Sequence, residues 1–284
     1  MVGFICINKK VGDTSTYCVN MIKKHLKVKC GHMGTLDPLA GGVLPIAIGQ
    51  ATRLFDILLD KQKKYIATFD FAYETPSYDL ETKPNNYSQN IPTEEEIKRV
   101  LGLLIGEVDQ VPPNFSAKLI DGKRSYKLAR RGVDFTLPPK RITIYDITLL
   151  ERVSDTAFKF LITCSGGTYI RSIVRDMAKA LNCYGTMIAL ERISSGEFNI
   201  ENSVTIEELL VSSDYTKFVI RPQDALTFEE INLDKILSKR LIDGVLCLVD
   251  REDGTYKVFS QNEFWGVGVV KDKSLKMKVY VRDL

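Results

Sequence analysis

From Lys63 to Tyr73 the chain alternates strictly, with Tyr65, Ala67, Phe69, Phe71 and Tyr73 on one side, the pattern of a half-buried strand. Shorter apolar runs at Phe4–Ile7, Val43–Ile48, Ile142–Leu150 and Ala157–Cys164 predict further strands. Helical spacing appears elsewhere. Val19, Ile22 and Leu26 share one face behind the N-capping candidates Asp13, Thr14 and Ser15. Helices are also expected over Ala51–Leu59, from Thr93 onward, and over Tyr169–Leu181, the last entered through a Gly166-Gly167 turn. Glu74–Thr93 is polar, carries three prolines and predicts a long surface connection. QVPPNFSAKLIDGKRSYKLARRG combines an extended Pro-Pro segment, an Asp121-Gly122 turn and a short basic helix. Strands and helices that do not alternate regularly indicate an α+β fold with antiparallel character.

Past Arg221-Pro222 the pattern changes to a short helix near Leu233–Leu241 and compact strands around Leu246, Val258, Val267 and Val279. Asp253-Gly254 supplies a hairpin signal between them. We expect two domains, residues 1–228 and a small β-rich module over 229–284.

Composition narrows the class. With 284 residues, 44% hydrophobic and 26% charged, the chain can bury a substantial core. Its net charge of +3 is small, but eight Lys or Arg against two Asp between Lys118 and Arg141 concentrate the positive charge. A second cluster, Lys9–Lys29, sets six lysines against Asp13. The six cysteines form no C-x-x-C pair, and two histidines are too few for a zinc spacing, so reduced thiols and no metal are expected. No signal peptide is read at MVGFICINKK. The longest uncharged run, Pro38–Thr52, has fifteen residues broken by proline and glycine, too short to span a bilayer. A cytoplasmic protein, monomeric by default, is the expectation.

GHMGTLDPLAGG, Gly31–Gly42, places one carboxylate, Asp37, among four glycines. An Asp-Pro pair is commonly only a turn. Pro38 nevertheless restrains Asp37 toward extended backbone, and the glycines permit close approach by a large ligand. Such a carboxylate can serve as nucleophile, general base or metal ligand. Metal is the poorest of these, because the stretch holds no second acid and no D-x-D. The chain also lacks a G-x-x-x-x-G-K-[ST] phosphate loop and a G-x-S-x-G elbow. These residues alone leave the substrate unnamed.

Several segments together resemble the TruB-type tRNA pseudouridine synthases, in order along residues 3–225. GHMGTLDPLAGGVLPIAIGQATRL is similar to that family's G-H-x-G-T-L-D-P-x-A-x-G-V-L motif, KKYIATFDF to its K-x-Y segment, CSGGTYIRSIVRDMAKAL to G-T-Y-I-R-S, and ALERISSGEF to L-R-R-x-x-x-G-x-F. The resemblance implies a pseudouridine-synthase catalytic core with a mixed, largely antiparallel sheet flanked by helices, and a PUA-like RNA-binding module at the end. It implies isomerisation of uridine-55 in the T arm of tRNA, by base flipping and without a cofactor. It gives Asp37 the role of nucleophile, Arg171 that of its ion-pair partner, here expected to be bidentate, and Tyr65 a catalytic role as the aromatic stacked on the uracil, with a hydroxyl placed to relay the C5 proton. Tyr169 and Leu190 would bound the pocket, with His32 and Lys64 in substrate binding. Lys118, Lys123, Arg124, Lys127, Arg130 and Arg131, interleaved with Phe115 and Tyr126, are the expected grip on the T arm. Lys10, Pro76, Tyr78 and Leu119 depart from the family pattern. Two rival readings keep the scaffold: a non-catalytic RNA-binding protein, and a glycosylase that would release free uracil.

Overall fold

The structure, a computed structural model, describes residues 1–281 apart from 60, 117 and 121. Among them the main sheet uses β1 (Gly3–Lys9), β2 (Cys30–His32), β3 (Ala40–Ile48), β4 (Lys63–Asp70), β5 (Gly106–Gln110), β6 (Lys140–Arg152), β7 (Ala157–Cys164) and β8 (Thr186–Ser195). Starting from a short Val219–Ile220 strand, the order is β1, β3, β8, β4, β7, β6, β5, with β2 pairing β3. Every pairing along this path is antiparallel except β3 with β8. That parallel pair sets Leu190 against Ala40 and Arg192 against Gly42, beside the segment that carries Asp37.

The two faces of the sheet bury different cores, as period-two side-chain alternation requires. Ile5 and Ile7 of β1, with Tyr65, Ala67 and Phe69 of β4, meet helices α1 (Ser15–Leu26), α2 (Glu94–Leu104) and α3 (Ile170–Ala180) through Ile22, Ile97 and Val174. Phe4 and Cys6 face the other way, in a cluster that includes Val267 and Val281 of the C-terminal part. Thr14 caps α1, and Thr93 with Glu96 forms a capping box on α2. A second sheet runs β9 (Glu230–Leu233), β11 (Gly254–Ser260), β12 (Glu263–Lys271), β13 (Ser274–Tyr280), β10 (Cys247–Leu248), with helix α4 (Lys235–Ile242) against it.

Several local expectations change. The glycine-rich stretch is not a loop throughout: it begins in β2 and ends in β3. Ala51–Leu59 splits into a 3-10 turn, Gly49–Leu54, and a short α-helix, Phe55–Leu59. Glu74–Thr93 is more than a surface connection, because Thr75, Ser77 and Asp79 go into the interior. β8 was not anticipated as a strand. Asp253-Gly254 does not form a hairpin turn, since Gly254 already starts β11. The turns are at Gln261-Asn262 and Asp272-Lys273, all four with positive φ. For the expected Asp121-Gly122 turn, Ile120 pairs with Lys123 and Gly122 has φ +76°, while Asp121 lies outside the described residues.

Gly42 is required where it stands. Its φ is +92°, and a Cβ there would collide with the carbonyl of Arg192 across the parallel pair. Gly31 has no such neighbour. Gly42→Ala should therefore destabilise the protein by about 2 to 3 kcal/mol in urea denaturation, with Gly31→Ala costing well under half of that.

Candidate active site

The segment bearing Asp37 is braced from three directions. Ser15, at the start of α1, donates its hydroxyl to the Leu36 carbonyl at 3.0 Å and accepts the Leu36 N–H at 2.9 Å. The Gly12 N–H donates to the Pro38 carbonyl at 2.8 Å. Arg192, 1% exposed on β8, donates through Nη2 to the Gly34 carbonyl at 3.2 Å and through Nε to the Val43 carbonyl at 2.7 Å. A glycine-rich sequence is thereby held in one place.

Arg171 lies in the first turn of α3 with its side chain 5% exposed, and its guanidinium is divided between two carboxylates. Nη2 is 2.9 Å from Asp37 Oδ2, and Nη1 is 3.2 Å from Asp79 Oδ2. Nη1 also donates to the Phe115 and Ser77 carbonyls at 2.9 and 3.4 Å. The expected bidentate grip on Asp37 is thus replaced by a shared one. The Asp79 segment is itself folded tightly: the Thr75 and Ser77 hydroxyls donate to the Asp79 carbonyl, and the Glu81 N–H donates to Asp79 Oδ1. Burial pushes the Asp37 carboxyl above its ordinary range; Arg171 pulls it down, and Asp79 and Glu81 push it further up. One cation facing two acids leaves Asp37 holding its proton more tightly than an exposed aspartate.

Asp37 opens into a cleft of about 320 Å³ whose walls include Tyr65, Tyr169, Leu190, Lys63, Lys118 and Lys140. Tyr65 and Leu190 present buried side chains from β4 and β8. Burial raises the Tyr65 phenol to about 12, partly offset by the charge and hydrogen bond of Arg192, so it is neutral at physiological pH. Tyr169 caps α3, and Gln110 clamps its backbone: Oε1 accepts the Tyr169 N–H at 2.8 Å and Nε2 donates to its carbonyl at 3.1 Å.

Lys64 does not join this site. It is exposed on the opposite side of β4, because alternate residues point to opposite faces; Lys63 lines the cleft instead. His32 sits near Arg192 at the end of β2 but is not part of the cleft wall. Its Nδ1 is buried without a hydrogen-bond partner among the described residues, and burial followed by the Arg192 charge lowers its pKa. Of the six basic residues expected to grip RNA, Lys118 reaches the cleft. Lys123, Arg124, Lys127 and Arg131 are exposed on the adjoining hairpin and helix, while Arg130 is paired with Glu81 at 2.5 Å. Asp79, Arg192, Lys140 and Gln110 were not singled out from the sequence. Arg192 occupies the last arginine of the L-R-R segment, and Asp79 directly follows Tyr78, one of the departures from the family pattern. Among the described residues no group of His, Cys, Asp and Glu is arranged to hold a metal. No helix among them is long and apolar enough to cross a membrane.

Two solved structures share this architecture. "Crystal Structure of a Cbf5-Nop10-Gar1 Complex" superimposes with a TM-score of 0.75 at 23% identity, covering 99% of this chain and 85% of that one. "Structure of H/ACA RNP bound to a substrate RNA containing 2'-deoxyuridine" gives 0.74 at 22%, with the same coverage. At such identities the likeness defines the fold, an α+β core with a curled β-sheet at its end. The family comparison goes further: TruB family pseudouridylate synthase (N terminal domain) matches residues 22–170, and the tRNA pseudouridylate synthase B C-terminal domain matches 171–228. A Clostridium kluyveri protein named tRNA pseudouridine synthase B is 37% identical, covering 99% of this chain and 100% of its own. An Aquifex aeolicus protein of the same name is 36% identical over 98% and 99%. The chain belongs to the TruB family of pseudouridylate synthases.

Removing the shared cation should be costly. Arg171→Leu leaves Asp37 and Asp79 facing each other and should lower stability by about 3 to 5 kcal/mol in urea denaturation. Arg171→Leu combined with Asp79→Leu should recover part of that loss, because the second change removes an unpaired buried charge.

Proposed function

We propose that this chain isomerises uridine-55 in the T arm of tRNA to pseudouridine, with Asp37 as the reacting carboxylate. The observation that carries the reading is the Asp37–Arg171 ion pair at 2.9 Å, opening into a cleft walled by Tyr65 and Leu190. The reaction breaks the N1–C1′ bond, turns the uracil and forms a C5–C1′ bond; C5 loses a proton and N1 gains one. Atoms and electrons balance without an oxidant or reductant. An ionised carboxylate can attack C1′ or the base, or take a proton from the ribose, and these side chains are compatible with each route.

Arg171 keeps Asp37 ionised and aimed, a task for which a planar guanidinium suits better than an ammonium. The flipped base stacks on Tyr65, worth about 1 to 3 kcal/mol, with Leu190 and Tyr169 bounding it and water displaced from the closed cleft. Because its phenol is neutral, Tyr65 acts through its ring and as a hydrogen-bond partner, not as a phenolate. Extruding the uridine costs a few kcal/mol, which phosphate contacts offset. Lys118, Lys123, Arg124, Lys127 and Arg131 supply those contacts, and Arg130 joins them when its pairing with Glu81 is exchanged for phosphate. Residues 1–228 act as the catalytic domain and 229–284 as a PUA-like second RNA contact, within a monomer.

Asp37→Asn should form no pseudouridine on a tRNA transcript, mapped by carbodiimide-dependent primer extension, while binding the tRNA as the wild type does. Residual conversion by that variant would remove Asp37 from the chemistry. For the wild type, the rate should fall on acidification at a pH above the ordinary aspartate value of about 3.9, since Asp37 must be ionised and its hold on the proton is strengthened.

A further inference from the structure

The lysine-rich segment Lys9–Lys29 divides sharply in three dimensions. Lys9 is 1% exposed and donates to the Asp13 and Lys10 carbonyls at 2.7 and 3.0 Å, so it is an internal brace. Lys10 pairs with Glu207 at 2.8 Å. The remaining four, Lys23, Lys24, Lys27 and Lys29, are exposed around the end of α1, and none forms an ion pair among the described residues. In the more strongly basic 118–141 segment, by contrast, Arg130 and Arg141 are neutralised by Glu81, Glu107 and Asp109.

Lys23, Lys27 and Lys29 line a notch of about 410 Å³ floored by Val28 and Cys30. The turn that forms it is fixed. Lys27 ends α1 in the left-handed conformation, φ 52°, with its N–H on the Lys23 carbonyl, and the Lys29 carbonyl accepts the Gly49 N–H at 2.8 Å. The end of a helix carries the equivalent of about half a negative charge, which offsets only a fraction of the three ammonium groups that line the notch. What remains is a concave, uncompensated positive site.

β2 runs from the notch toward the segment that bears Asp37. Lys29 lies beside Gly49 and Asp37 beside Ala40, at opposite ends of β3, so the notch and the carboxylate stand on the order of 25 Å apart, the span of several nucleotides. We propose that this notch binds the sugar–phosphate backbone of the tRNA several nucleotides away from the flipped uridine, as a phosphate-binding site separate from the cleft and from the 118–131 segment. The lysines act as point charges on phosphate and read no base. The proposal rests on the chain acting on tRNA.

The test is the triple variant Lys23→Glu/Lys27→Glu/Lys29→Glu, beside a charge-matched control at exposed basic residues of α2, β6 and α3, Lys98→Glu/Arg152→Glu/Lys179→Glu. Binding of a tRNA transcript is measured by fluorescence anisotropy across a salt series, and pseudouridine formation is followed at saturating tRNA. The notch variant should bind at least about tenfold more weakly at low salt, with the slope of log affinity against log salt shallower by about 2, as expected for two or three lost phosphate contacts. The control should change neither as much, and kcat should stay within about twofold for the notch variant. Affinity and slope equal to those of the control would overturn the notch. Absence of pseudouridine from the wild type would instead overturn the proposed reaction, and the binding comparison would still decide the notch.

Discussion

One buried guanidinium shared between two carboxylates organises this molecule. Arg171 reaches from the first turn of α3 to Asp37 on one side and Asp79 on the other, and also holds two backbone carbonyls. Three segments far apart in sequence therefore meet at one cation. A charge buried this deeply is tolerable only when paired and hydrogen-bonded, so the site constrains the surrounding chain as much as the chain constrains the site. Asp79 is as buried as Arg171, at 5% exposure, whereas Asp37 keeps 37% of its side chain open to the cleft. The inner acid is structural ballast for the arginine, and the outer acid remains available to a substrate.

The scaffold explains why Asp37 stays in place. The parallel β3–β8 pairing brings Arg192 and Leu190 beside the segment that precedes β3. Arg192 then ties the Gly34 and Val43 carbonyls together and lies beside Tyr65, so one buried side chain braces the Asp37 segment next to the pocket wall. Function of this kind favours a rigid first contact and looser surroundings: the cleft is built on strands and a helix end, while the basic hairpin and helix over 119–131 sit at the surface.

Much of the fold was legible because its strands carry clean signals. Ala157–Cys164 was anticipated with its observed limits, and the α1 and α2 caps follow from Thr14 and Thr93. The failures share a cause: local polarity says nothing about tertiary pairing. Thr75, Ser77 and Asp79 looked like a surface connection, yet their polar groups are satisfied by one another and by Arg171 inside the protein. Gly41 and Gly42 looked like loop residues, but a strand tolerates them where Arg192 packs against its backbone. Lys64 does not enter the cleft: the alternation from Tyr65 places it on the other face, and the K-x-Y match itself puts its lysine at Lys63. Asp37, Arg171, Tyr65, Tyr169 and Leu190, all found from motifs, line one cleft, whereas the contacts of Arg192 and Asp79 are visible only in three dimensions.

Asp79 fixes one half of the Arg171 guanidinium and thereby the half that faces Asp37. Single-turnover pseudouridine formation by Asp79→Asn, at tRNA-saturating enzyme, tests this most directly. The rate should fall at least about tenfold below wild type with tRNA affinity unchanged, equivalent to about 1.4 kcal/mol of lost transition-state stabilisation. A wild-type rate from a folded Asp79→Asn protein would contradict it.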